Sequence, residues 1–493
     1  MDKDNILRSI RESMCKYSDK ESFIIGGDSY SYQDLSNQVA RISCVLNGNK
    51  QCVGIIENDD IYTYASILAV LFTGNTYVIL NPHNPNSRNK KIVESTSIKT
   101  ILTSINIDEY TGVFGDICIS SINLKEPESD YEIPLFEADK DDNAYIIFTS
   151  GSTGEPKGVP ITYGNLNSFY CAYKELGFNL DSTDRMLQMF DLAFDVSVVS
   201  TLYPLAIGAS VYTVPLDAVK YTAVYELLED EELTFAAIPP SILSILKPYF
   251  SEIDLPKLKY LILTAEASHV DIVKEFYPSI PNAEVVNLYG PSEATIYCTS
   301  YFAKGGDIKN YNGMLSIGKA FSDIDFLILR EDDSVADVSE KGEFCISGSQ
   351  VMHGYWKNIE KTQEVFIQKD GKKYYRTGDV CYIDSEGDIM YCGRKDHQVQ
   401  INGFRVELSE IEHYAKQIHK NGASVVIPKE NSLGNLVLHL FLENYSEGKE
   451  KIHEYLKEHL NPYMCPKEIH ILDSFPLNNS GKIDRKILKA SIK

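Results

Sequence analysis

Short apolar runs that stop on small or polar residues recur along the chain: Val53–Ile56, Tyr77–Leu80, Phe235–Ile238, Tyr260–Thr264 and Val285–Tyr289. Each suits a strand buried on both faces and is too short for a core helix. Amphipathic stretches such as Ser241–Leu246 and Val270–Tyr277 lie between several of them. This alternation predicts βα units around mostly parallel sheets, with functional loops at the strand ends.

Near residue 393 the texture changes. Gly393-Arg394-Lys395-Asp396 is a charged break, and Leu408-Ser409-Glu410-Ile411-Glu412 reads beyond it as a capped helix start, Ser409 facing Glu412. Ile411, Ala415 and Ile418 then share a helical face. Ala423–Ile427 and Leu436–Leu442 read as strands, and Ile452–Leu460 as a further helix. The expected architecture is α/β: a large N-terminal lobe with mostly parallel sheets over residues 1–393, a break at 394–396, and a small α+β lobe over 397–493.

At 493 residues the chain exceeds what one core usually supports, so at least two domains are expected. The net charge of −23 argues against broad nucleic-acid binding. It also requires that a polyanionic ligand be met by local cations, for which Lys157, Arg376, Arg394, Lys482, Arg485, Lys486 and Lys489 are candidates. The apolar runs are too short to span a bilayer, so no membrane insertion is expected. The N-terminus lacks the basic-then-apolar layout of a signal peptide, and Ile6, Leu7, Ile10 and Met14 fall on one helical face instead. Ten scattered cysteines without a Cys-x-x-Cys pair read as reduced thiols of a cytoplasmic protein, and no metal site built from them is expected.

The stretch from Tyr145 to Gly158 carries the chemistry. An apolar run (Tyr145 to Phe148) feeds a loop of Thr149, Ser150, Gly151, Ser152, Thr153 and Gly154 that ends at Lys157. Glycines let backbone N–H groups approach an anion, hydroxyls add donors, and a lysine adds a mobile point charge suited to phosphate oxygens. The spacing is not the Walker pattern, which closes on Gly-Lys-Ser/Thr. The plain alternative is a flexible Gly/Ser surface turn.

With this loop in place, the chain resembles the adenylate-forming superfamily, above all amino-acid adenylation domains and D-alanine–carrier protein ligases. The resemblance runs from Gly74-Asn75-Thr76-Tyr77-Val78 through Leu288-Tyr289-Gly290-Pro291-Ser292-Glu293 to Asn479-Ser480-Gly481-Lys482-Ile483-Asp484. It implies that a carboxylate is activated with ATP, that pyrophosphate is released, and that the acyl group then passes from AMP to a thiol. It also implies two orientations of the small lobe, turning about a hinge at Asp396. Loop 149–158 would cradle the β- and γ-phosphates. Tyr289 would stack on adenine, Asn287 would read its amino group, and Gly290 and Ser292 would complete that wall. Asp379, in Tyr375-Arg376-Thr377-Gly378-Asp379, would accept bonds from ribose hydroxyls, with Tyr391 and Arg394 close by. Glu293 would link to Mg²⁺, a hard cation that favours a carboxylate and phosphates. Lys482 would be catalytic, offsetting the repulsion between carboxylate and α-phosphate. Taken singly, Glu293 reads as a helix-start residue, Asp379 as a turn aspartate, and Lys482 as a solvated tail lysine.

Asp195, in Phe194-Asp195-Val196-Ser197, occupies the position that holds an α-ammonium group in amino-acid-activating relatives. A buried carboxylate needs a partner charge, which an ammonium supplies; a capping aspartate is the alternative. By position the substrate pocket would be walled by Val196, Val199, Ala237, Ile262, Thr264, Leu288, Ile296 and Tyr297, which implies a neutral side chain. The expected function is activation of a neutral amino acid and its transfer to a phosphopantetheine carrier protein acting in trans, since no carrier site lies within the chain. The alternative is an acyl- or aryl-CoA ligase. Two positions depart from the family pattern. Gln400 and Asn402 lie in Gln398-Val399-Gln400-Ile401-Asn402-Gly403, where relatives usually carry a lysine at 400, and Asn81 stands in place of the usual aspartate.

Overall fold

The computed structural model describes residues 5–492 except 47, 49, 105–112, 115–117, 122–132, 135, 137, 150–155, 304–307, 396–397, 421 and 477–482; at 118–121 it describes the backbone alone. Ser150, Gly151, Ser152, Thr153, Gly154, Asp396 and Lys482 therefore lie outside the described residues.

Two large sheets organise the first lobe. In the nine-stranded sheet, Glu284–Tyr289, Tyr260–Leu263, Phe235–Ile238, Arg185–Gln188, Ser210–Thr213 and Glu21–Ile25 run parallel in that spatial order. Antiparallel Thr299–Ala303, Lys319–Ala320 and Asp28–Ser31 close its edges. The six-stranded sheet orders Cys118–Ser121, Thr100–Thr103, Cys52–Ile56, Thr76–Leu80, Asn143–Thr149 and Lys157–Thr162, parallel except for the last pair. Every apolar run singled out above is a strand of one of these sheets. A third, five-stranded sheet built from Ile324–Leu329, Gly342–Gly348, Phe366–Lys369, Lys372–Ile383 and Ile389–Arg394 is antiparallel throughout.

Burial explains the periodicity. The helix Ile61–Phe72 is apolar on all sides because it lies between structured layers, and all but one of its residues are buried. By contrast, Ile6–Lys16 buries one stripe, Ile6, Leu7, Ile10 and Met14, as the sequence predicts. The main core of the first lobe draws residues from Ile6 to Ile389, with smaller clusters around Val78 and Cys345, whereas residues from Ile401 onward build cores of their own. The later segment holds a hairpin (Gln398–Ile401 with Phe404–Glu407), a three-stranded sheet (Ser424–Glu430, Leu436–Glu443, Glu468–Leu472) and the helices Leu408–Ile418, Lys449–His459 and Arg485–Ser491. No helix among the described residues is long and apolar enough to cross a membrane.

The helix at Leu408 corrects one expectation. Its N-cap is Glu407, with no side-chain cap bond, and Ser409 lies inside the first turn. The hairpin strand runs directly into the helix, leaving no turn for Ser409 to cap. Glu412 accepts instead from the Val426 N–H and from Arg485, tying helix to sheet.

Candidate functional site

The C-terminal ends of parallel strands from both large sheets converge on one region, the usual ligand position in open α/β folds. In the six-stranded sheet Thr149 and Lys157 are register partners on antiparallel strands, so the lysine is fixed at the start of the second of them. Lys157 is mostly buried, and its Nζ lies 3.1 Å from Glu407 Oε1 of the small-lobe hairpin. Burial lowers its pKa, and nearby Arg405 lowers it further, while Glu407 and Glu293 oppose both.

Glu293 sits fully buried in the short turn Ser292–Ala294 after strand Glu284–Tyr289. Its Oε1 accepts from the Tyr355 hydroxyl at 2.7 Å, and Arg405 Nη1 reaches both oxygens, at 3.0 and 3.2 Å. Burial alone would raise this carboxyl. Arg405, the Tyr355 hydroxyl and Lys157 overcome that effect and hold it at about 2. Gln398 closes the ring by donating to Glu407 and accepting from Arg405 Nε. Opposite charges thus alternate through Lys157, Glu407, Arg405 and Glu293, two from each lobe.

The hairpin that brings Arg405 and Glu407 here turns at Asn402-Gly403, both at positive φ (52° and 84°), the type I′ geometry that this pair of residues favours. The Gly403 N–H donates to Glu266 Oε1 at 2.8 Å. Phe404 packs edge-on against Phe194 and flat on Tyr463. Beside this seam a cavity is lined by Asn81, Arg88, Asp191, Phe194, Phe404 and Tyr463, and Arg88 pairs with the buried Glu410 of the small lobe at 3.1 Å.

A second cluster gathers four of the expected nucleotide residues. Asp379 and Arg394 are register partners on neighbouring strands, and Arg394 Nη1 donates to Asp379 Oδ1 at 2.9 Å. The Tyr289 hydroxyl donates to the other oxygen, and the Tyr391 ring lies 6.3 Å from that of Tyr289. The Asn287 side chain is engaged within the fold, accepting from Ser268 and donating to the Ser316 carbonyl. Gly290 is required by a close approach: a Cβ there would stand 2.4 Å from the Ile296 carbonyl oxygen. Arg376, a sequence candidate for anion binding, forks instead onto Glu343 and reaches Asp333.

Asp195 opens the helix Asp195–Ile207 and is buried. Burial raises its pKa to about 6, against the Ser292 hydroxyl and the Val196 N–H, which favour the ionised form. Val196 and Val199 lie on the same helix, Ala237, Ile262 and Leu288 on parallel strands, and Thr264 just past a strand end; all are buried, as are Ile296 and Tyr297. Thr295 and Ile296, both β-branched, hold φ of 58° and 75°, a strained turn. Gln350 braces it, donating to the Ala294 and Tyr297 carbonyls and accepting through its own carbonyl from Thr295.

Sequence reasoning missed Arg405, Glu407 and Tyr355. It also left Asn81 without an account, which the structure supplies. The Asn81 amide donates to Glu57 and to Asp191, and its oxygen accepts the His83 N–H. Glu57 is fully buried, and burial with the adjacent Asp191 carboxylate pushes its pKa well up. An aspartate at 81 would add a third acid where the amide supplies donors.

A large α/β lobe whose strand ends meet a small α+β lobe across a shared ring of ion pairs has the construction of an AMP-forming ligase. The chain belongs to the AMP-binding enzyme family: residues 10–356 match that family and residues 421–482 match the AMP-binding enzyme C-terminal domain. It is 31% identical over 442 residues to a D-alanine–D-alanyl carrier protein ligase of Bacillus mycoides (strain KBAB4), covering 87% of this chain and 86% of that one. It is 29% identical over 490 residues to tyrocidine synthase 1 of Brevibacillus parabrevis, covering 96% of this chain and 44% of that one. Among solved structures, the Vibrio cholerae adenylation domain AlmE in complex with glycyl-adenosine-5'-phosphate superposes with a TM-score of 0.88 at 25% identity, covering 100% of this chain and 98% of that one. Enzymes that form adenylates use ATP.

Proposed function

We propose that this ligase activates a neutral amino acid and loads it onto a phosphopantetheine carrier protein. The observation that carries this reading is Asp195, a buried carboxylate at a helix start, amid apolar side chains and beside Ser292. A buried carboxylate suits a substrate ammonium as its counter-charge, and the buried apolar residues assigned to the pocket suit an uncharged side chain. In the first step a substrate carboxylate oxygen attacks the α-phosphorus of ATP, the bond to the β-phosphate bridging oxygen breaks, and pyrophosphate leaves. In the second a thiol, losing its proton, attacks the acyl carbon, and AMP leaves.

Loop 149–157 and Lys157 are assigned to the departing phosphates, Asp379 with Arg394 to the ribose, and Tyr289 to the adenine ring. Glu293 offers one hard, ionised oxygen, a donor suited to Mg²⁺ held jointly with phosphates; when bound, the ion would neutralise phosphate charge. Lys482 is assigned to the first step. Asp396 and its neighbours at 394–396 are assigned to the hinge between lobes at 1–393 and 397–493.

In the orientation described, Arg405 covers Glu293 and Glu407 covers Lys157, so small-lobe charges stand where cation and phosphate charges would be expected. That arrangement supports assigning it to the stage after pyrophosphate release.

ATP–pyrophosphate exchange with a panel of D- and L-amino acids tests the reading. Exchange with one or a few neutral amino acids is expected. Exchange only with fatty or aryl acids would assign the chain to the acyl-CoA ligases instead.

A further inference from the structure

The small lobe carries a second cluster, away from the seam. Strands Leu436–Glu443 and Glu468–Leu472 run parallel, with His439 opposite Glu468 and Phe441 opposite His470. Because side chains alternate along a strand, these four project from one face. His439 Nδ1 lies 3.1 Å from His470 Nε2, and each lies 3.6 Å from Glu468 Oε2. Three ligand atoms bound to one tetrahedral ion at about 2.0–2.1 Å stand roughly 3.3–3.4 Å from one another, so this triangle closes around a single centre with little movement.

The surroundings favour the same geometry. The His470 ring stacks on Phe441 at 4.5 Å, and His439 is buried, so both imidazoles are held in place. The Glu468 side chain is 61% exposed and provides the entry path. Lys429 and Lys449 are the cations acting on the pair. Lys429 is drawn aside, its ammonium donating to the Ile492 carbonyl.

We propose that His439, Glu468 and His470 bind one divalent transition-metal ion, Zn²⁺ by preference, with water in the fourth position. Two imidazoles and one carboxylate favour zinc over the hard cations Mg²⁺ and Ca²⁺. The ion would pin the edge strand Glu468–Leu472 to the central strand of the small-lobe sheet. The competing description is a hydrogen-bonded histidine pair beside a carboxylate, with no need of metal.

Titrating Co²⁺ into chelator-treated full-length protein separates the two. One equivalent should bind, with the visible absorption bands of four-coordinate cobalt, displaced by Zn²⁺ but not by Mg²⁺, and Zn²⁺ should raise the melting temperature. His439→Gln and His470→Gln should abolish the bands, and Glu468→Gln should weaken Co²⁺ binding roughly tenfold or more, with amino-acid-dependent exchange unchanged in buffer that holds Mg²⁺ but no transition metal. If a histidine variant folds poorly, the exposed Glu468→Gln serves alone. No cobalt bands in the wild-type protein, or equal binding in all variants, would overturn the proposal.

Discussion

Arg405 Nη1 lies 3.0 and 3.2 Å from the two carboxylate oxygens of Glu293, so a guanidinium from the small lobe neutralises the buried acid of the large one. Glu407, two residues on along the same strand, does the converse for Lys157. On the proposed assignments magnesium would place a cation on Glu293 and a phosphate chain an anion on Lys157, so hairpin and polyphosphate would compete for the same two groups. Arg405→Gln should therefore leave ATP–pyrophosphate exchange within a few-fold of wild type while slowing acyl transfer. Breaking a buried pair costs on the order of 3 kcal/mol in the docked orientation, about a hundredfold in its population. Single-turnover loading of a radiolabelled amino acid measures the transfer. An equal collapse of exchange and transfer would count against competition.

The Asp195 carboxyl, raised to about 6 by burial, predicts a pH effect whose sign is fixed. Above that value the free enzyme presents a carboxylate to the substrate ammonium; below it the group is neutral and the attraction is lost. The acid limb of kcat/KM, which reports free-enzyme groups, should therefore bend near pH 6. Asp195→Asn should raise the amino-acid KM by roughly two orders of magnitude, the cost of leaving a buried ammonium unpaired, and remove that bend. An unchanged profile in the variant would assign the limb to another group.

The fold was legible where local chemistry alone decides it. Apolar runs such as Tyr77–Leu80 are strands because both of their faces are covered. The ion-pair ring was not readable, since Glu293 and Arg405 lie far apart in sequence and meet only when the lobes dock. A local signal did exist: Asn402-Gly403 between short alternating segments is a hairpin turn, and it would have put Arg405 and Glu407 on one face. Ser409 was misread as a cap because the pattern of residues matched, whereas the strand entering the helix is a tertiary fact. His439, Glu468 and His470 needed the parallel register, which the sequence does not print.

Lys482 lies outside the described residues, but the segments on either side of residues 477–482 are anchored in the small lobe. The Phe475 N–H donates to Glu443, the Asp484 N–H to Pro476, and Arg485 pairs with Glu412. A lysine delivered by lobe rotation should act in one half-reaction only. Lys482→Ala should lower adenylate formation by about a hundredfold or more, as removal of a charge-stabilising donor does. Transfer from chemically prepared aminoacyl-AMP to the carrier should survive. Both rates can be read by following carrier mass, starting from ATP or from the adenylate, and parallel losses would refute the division of labour.

Asn81 predicts a stability effect that depends on pH. Its amide donates to both Glu57 and Asp191, an acid pair whose repulsion already raises the Glu57 pKa. Asn81→Asp removes those two donors and adds a third carboxyl to the group. The introduced acid would have a folded pKa above its unfolded value, so its ionisation opposes folding at pH above the unfolded pKa. The penalty should be fully developed at neutral and alkaline pH and should shrink as pH falls through the raised folded value. A loss on the order of 1–3 kcal/mol is expected at pH 8 for buried acceptors left without a donor, with a markedly smaller loss at pH 5. Urea unfolding of both proteins at the two pH values measures the difference, and a penalty that grew toward acid would show that the amide acts by some means other than separating the two acids.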